Sequence, residues 1–151
     1  MSMPPKARLF QEGAARVCQD VANQRKVGGQ QRPLLVGEFG MNTALDPKHG
    51  VGESMRAKLQ EHPGTEAEQA RLFEIVLTAA EKERVAGILP WCLHDYPIQN
   101  PNESHFGLVR ADGTLKPAAL VLRDTFARWG NADPVADAPS QPGQPQPERC
   151  S

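Results

Sequence analysis

Two short apolar runs, Leu34–Gly40 and Val85–Trp91, set the tightest limit on what this chain can fold into. Neither alternates apolar with polar residues, as a strand with one wet face would. A continuous run of this length suits a parallel strand covered on both faces. Between the runs lies a helical segment with a clear start. Thr65 followed by Glu68 matches a capping box, and Leu72, Val76 and Ala80, beside Phe73 and Leu77, recur on one face. Strands separated by a helix of that length imply a βαβ unit and a parallel sheet.

The flanking segments extend the pattern. Residues Lys6 to Gln24 place Phe10, Ala14, Val17 and Val21 on one helical face, and Gly28-Gly29 marks a stop. A last helix is expected from near Thr114, with Pro117 in its first turn, where no intrahelical N–H bond is lost. Ala118, Leu122, Phe126 and Trp129 form its expected inner face, and Gly130 its end. Long loops, Met41–Gly64 and Cys92–Gly113, follow the two strands, whereas the connections into the strands are short. A barrel or open α/β fold working at the C-terminal ends of its strands has such loops. From Asn131 to Ser151, prolines and glutamines leave no large aliphatic residue beyond Val135. Such a composition cannot offset chain entropy, and a disordered tail is expected.

Bulk composition excludes several functions. Seventeen Lys and Arg balance 18 Asp and Glu, and no basic run exceeds Arg25-Lys26, which argues against nucleic acid. No apolar run approaches the roughly 20 residues of a membrane-spanning helix. Met1–Lys6 has no apolar signal segment, which leaves localisation open if residues precede it in a longer protein. The three cysteines, Cys18, Cys92 and Cys150, have no paired motif spacing and read as ordinary thiols. Glu103 and His105 lack a third ligand, so no metal site is expected.

Three segments carry a family resemblance. Arg32-Pro-Leu-Leu-Val-Gly-Glu-Phe-Gly40 resembles the seventh barrel strand of retaining glycoside hydrolases related to the family 5 cellulases and mannanases, where the strand ends in the nucleophilic glutamate. Val85-Ala-Gly-Ile-Leu-Pro-Trp91 is similar to the eighth strand, whose terminal tryptophan lines the sugar subsite. Phe106-Gly-Leu-Val-Arg-Ala-Asp-Gly-Thr-Leu-Lys-Pro-Ala-Ala119 resembles the entry to the last helix. The resemblance spans Arg32 to Trp129. It implies an α/β fold, part of a (β/α)8 barrel with about two parallel strands and three helices over residues 1–130, followed by the tail 131–151.

The resemblance also implies a chemistry. Glu38 would be the nucleophile of a retaining hydrolase acting on β-linked glycans, with Trp91 stacking on the sugar and His94, Asp95 and Tyr96 contacting its hydroxyls. No cofactor is implied, because two carboxylates about 5–5.5 Å apart suffice for double displacement. Gly37 and Gly40 leave room for sugar to approach the backbone, and an indole offers a flat apolar face to a pyranose. The family's acid/base lies in an Asn-Glu pair ending the fourth strand. Here the one such pair, Asn102-Glu103, follows the eighth-strand segment, so the acid/base is expected to be absent from this chain. A barrel takes about 250 residues and eight strands, and strands one to six find no counterpart. The competing expectation is a non-catalytic α/β interaction module that associates with itself, or with a missing barrel half, through open sheet edges.

Overall fold

The computed structural model describes residues 5–28, 32–59, 63–96 and 100–131. Its elements run α1 (Pro5–Gly28), β1 (Leu35–Phe39), α2 (Glu53–Arg56), α3 (Glu66–Lys82), β2 (Gly87–Pro90) and α4 (Pro117–Asn131). β1 and β2 pair in parallel, with Val36 opposite Ile88 and Glu38 opposite Leu89. The fold is α/β, part of a (β/α)8 barrel. The side chains of Phe10 and Ala14, together with Cys150 and the tail from Ala132, lie outside the described residues.

α3 begins as its sequence dictates. The Thr65 hydroxyl accepts from the Glu68 N–H (3.2 Å), and the Glu68 carboxylate accepts from the Thr65 N–H (2.7 Å), so two otherwise orphan donors are satisfied. Packed against both α1 and α4, this helix supplies most of the core. Phe73, Val76, Leu77 and Ala80 are buried, and the Phe73 ring lies 4.9 Å from that of Phe39 on β1. Val36, Phe39 and Ile88 are the sheet residues facing this helical layer. Val17 of α1 joins the core beside Leu72 and Val76, and Val21 is buried. Arg25, also buried, donates to the carbonyls of Arg32, Glu83 and Arg84, tying α1 to the entries of both strands.

Three expectations are corrected. The Met41–Gly64 segment is not loop throughout: Met55 and Arg56 N–H groups bond to the Gly52 carbonyl and close the single turn of α2, too short to leave a periodic signal. The last helix starts at Pro117 rather than near Thr114, and continues through Gly130 to Asn131. Phe126 is not core; it is 45% exposed, and Thr125 is buried in its place. At 3.6 residues per turn, Phe126 has rotated about 80° from the direction of Ala118, whereas Thr125 and Trp129 lie within about 20° of it.

Candidate functional site

The two faces of the small sheet differ because β1 carries a bulge. Val36 and Phe39 are three residues apart, which strict alternation would place on opposite faces. The register shifts between Val36 and Glu38, and the extra residue lets both reach the helices. Leu35 (61% exposed) and the exposed Glu38 are left on the other face. On β2, Ile88 points into the core while Leu89 (61%) and Trp91 (42%) are exposed. One side of the sheet is therefore packed on helices, and the other presents Leu35, Glu38, Leu89 and Trp91.

Glu38 and Trp91 stand at the C-terminal ends of these neighbouring strands. Trp91 N–H donates to the Phe39 carbonyl at 2.8 Å, continuing the ladder past β2. Gly40 then passes so close that a Cβ there would run into the Trp91 carbonyl oxygen. That contact explains why the chain leaves β1 through glycine. The Trp91–Cys92 peptide is cis. Among the described residues the Glu38 carboxylate makes no hydrogen bond or ion pair, and its side chain is exposed.

Of the other three expected sugar-contacting residues, two face solvent and one does not. His94 and Tyr96 are exposed, but Asp95 between them is buried. Its Oδ1 accepts from the Lys116 ammonium (2.8 Å) and from the Gly107 N–H (2.8 Å). Gly107 is glycine for a spatial reason, since a Cβ there would collide with the backbone of His94 and Asp95. The Cys92 thiol, buried beneath this turn, donates to the His94 carbonyl at 3.2 Å. Burial pushes that thiol up from its ordinary pKa, and a hydrogen bond with Tyr96 opposes the shift without cancelling it. A thiol so held is a packing group, not a nucleophile.

Sequence reasoning missed the polar groups that join the two long loops. Asn42 Nδ2 donates to the Pro101 carbonyl (2.8 Å), and the Thr43 N–H and hydroxyl both donate to the His105 carbonyl (3.0 Å each). Gln69 Nε2, fully buried on α3, donates to the carbonyls of Met41, Phe106 and Gly107. Lys116, with 1% of its side chain exposed, reaches Thr43, Asp95 and the His105 carbonyl. The Lys-Pro-Ala motif gave the one available signal, but not that its lysine points inward. His105 donates or accepts at Ser104 Oγ (2.5 Å), and burial holds its imidazole below the ordinary range.

Two nearby carboxylates, Asp46 and Glu66, are committed elsewhere. Burial acts to raise the pKa of Asp46, but N–H groups of Lys48, Glu66 and His49 outweigh it and hold the group below the ordinary range. Glu66 is buried against Arg110, whose Nε lies 2.7 Å from Oε1. That hydrogen bond raises the arginine's pKa further.

No family model matches this sequence, and no curated protein matches it either. Among solved structures, the chain is similar to GH5_18 from Streptomyces cattleya in complex with GlcNAc. The TM-score is 0.55 at 20% identity, over 80% of this chain and 26% of that one. A variant of the same GH5_18 in complex with Manβ1-4GlcNAc gives 0.52 at 20% identity, over 78% and 27%. The chain spans about a quarter of the length of these structures, and at that identity the likeness is one of fold: part of a glycoside hydrolase barrel.

Proposed function

We propose that this chain supplies the nucleophile strand of a retaining glycoside hydrolase acting on β-linked glycans, with Glu38 as the nucleophile and the acid/base outside these 151 residues. The observation that carries the reading is the placement of Glu38. It is exposed, and without a hydrogen bond or ion pair among the described residues, at the C-terminal end of a parallel strand, on the face away from the helices, next to the strand that ends in Trp91. In barrels of this kind catalytic groups come from strand C-termini. A rigid strand is a suitable mount for an attacking carboxylate. Trp91 offers its ring face to a pyranose, and the exposed His94 and Tyr96 are placed to meet hydroxyls; Asp95 acts from beneath them. The ligands of the two Streptomyces cattleya structures make Manβ1-4GlcNAc the first glycan to try.

The test is to complete the barrel. Replacing the last quarter of the Streptomyces cattleya GH5_18 barrel with residues 32–131 of this chain should yield hydrolysis of Manβ1-4GlcNAc with retained configuration, read by proton NMR of the first-formed sugar. Glu38→Gln should abolish it. A folded chimera that is inactive, inverts, or ignores Glu38→Gln refutes the reading.

A second reading has its own support. Leu35, Leu89 and Leu93 are exposed apolar residues on or beside a two-stranded sheet, which supports a non-catalytic module that associates with itself through its open sheet edges. Light scattering showing a monodisperse monomer over a wide concentration range would count against it.

A further inference from the structure

We propose that Asp95 and Lys116 are positioning residues: a buried ion pair that fixes the loop after β1 relative to the loop after β2, and so sets Trp91 against Glu38. This inference rests on the reading of those two residues as site groups.

The arrangement of donors and acceptors carries it. The Lys116 ammonium has three N–H bonds to give and three acceptors: Asp95 Oδ1 at 2.8 Å, Thr43 Oγ1 at 2.9 Å and the His105 carbonyl at 3.2 Å. Thr43 belongs to the loop leaving β1, three residues beyond Gly40. Asp95 and His105 belong to the loop leaving β2, Asp95 only four residues beyond Trp91. Lys116 itself stands immediately before α4, with its N–H bonded to the Leu108 carbonyl at 2.9 Å. One ammonium thus ties both loops to the start of a helix.

Stability alone does not explain such a pair. Desolvating two charges is costly, and well-packed apolar side chains of equal volume are often as stable or more so. Apolar contact is non-directional, however, and would tolerate sliding of one loop past the other. Charge-assisted hydrogen bonds to three fixed acceptors admit a single relative placement. Asp95 adds a second consequence. Its inward turn, held by the Gly107 N–H as well, leaves His94 and Tyr96 exposed on either side.

The experiment uses the 151-residue chain, isotopically labelled for NMR, as wild type, Lys116→Met, and Lys116→Met with Asp95→Asn. Two signals report the relative position of two residues that the substitutions leave unchanged: the Glu38 amide and the Trp91 indole N–H. Lys116→Met leaves a buried carboxylate unpaired and should lower the melting temperature; adding Asp95→Asn should recover most of that loss. The expected result is a double variant that melts near wild type while both signals remain displaced or broadened. A double variant in which melting and both signals return to wild type overturns the proposal, because the pair would then be structural only. Thr43→Val, which keeps the shape but removes one acceptor of the ammonium and the hydroxyl's own bond to the His105 carbonyl, supplies the same reading of the two signals should the double variant not fold. Titration with Manβ1-4GlcNAc is a separate arm. Wild type should bind and the double variant bind about tenfold more weakly. Sugar affinity equal in both would overturn the positioning role. Absence of wild-type binding would count against the proposed function while leaving the two signals to decide the positioning role.

Discussion

Glu38→Gln should separate folding from function. The substitution keeps the volume and shape of the side chain and removes only its charge. In the folded chain that charge makes no hydrogen bond or ion pair among the described residues, and the side chain is exposed. The core residues of the same strand, Val36 and Phe39, face the helices and are untouched. Surface substitutions of this kind change stability by within about 0.5 kcal/mol. For a chain of this size that is a shift in melting temperature of no more than about 3 °C. In the completed barrel the same change removes the attacking atom, and loss of a nucleophile costs about 10⁴–10⁶ in turnover. The assay pairs circular-dichroism melting of the 151-residue chain with hydrolysis by the completed barrel. A fall of more than about 5 °C would show that Glu38 is a structural group, and the argument from its unpaired exposure would fail. Undiminished hydrolysis would remove it from the chemistry.

Three further outcomes follow from particular contacts. Gly40→Ala should destabilise by about 1–3 kcal/mol in urea unfolding, because its Cβ would meet the Trp91 carbonyl and the strand ends would have to part. Phe73→Ala, at a fully buried ring tilted against that of Phe39, should cost about 3–5 kcal/mol in the same assay. Asp46 is held below its ordinary pKa, so its contribution is fully present above about pH 4 and is lost as pH falls through the depressed folded value. Asp46→Ala should accordingly flatten the acid side of the stability profile, and an unchanged acid side would contradict the cause given.

The sequence was most legible where apolar periodicity and local capping decide structure. Thr65 and Glu68 formed the expected box, Leu72 to Ala80 the expected face, and Pro117 fell in the first turn of its helix as expected, though the helix starts there and not near Thr114. The strands were shorter than the apolar runs, since Val85 and Ala86 precede β2 and Trp91 follows it. Periodicity could not show which polar residues turn inward, because their partners are distant in the chain. Lys116 meets Thr43 across 73 positions and Asp95 across 21. Neither the bulge at Gly37 nor the outward rotation of Phe126 has a local signature; each depends on what the neighbouring element buries. Glu38 and Trp91 could be singled out by resemblance, whereas their shared open face emerged only from the register of β1 on β2.

The 151-residue chain by itself should be catalytically silent, and the reason lies in the state of its carboxylates. Retaining hydrolysis needs a second carboxyl group about 5–5.5 Å from the nucleophile, protonated when the leaving oxygen departs. A general acid is poised by an environment that raises its pKa. Asp46 and Asp112 are both displaced downwards, Asp46 by backbone N–H groups that outweigh burial and Asp112 by the Thr114 hydroxyl and N–H. Glu66 is bonded to Arg110, Asp95 to Lys116, and Glu68 to the start of its own helix. Glu53 and Glu103 are exposed, no contact among the described residues holds either across a sugar bound at Glu38, and Glu61, in the same loop as Glu53, lies outside the described residues. Lacking acid assistance, a glycosidase loses about 10²–10⁴ in rate. The loss of groups that orient the glycan makes the deficit larger. An activated aryl β-glycoside is the fairest substrate, because its leaving group needs little protonation. No turnover above background is expected, and Glu38→Gln should change nothing. Should the purified chain hydrolyse such a substrate at an enzyme-like rate that Glu38→Gln abolishes, a loop carboxylate or one from a second copy must be the acid, and the account of committed carboxylates would be wrong.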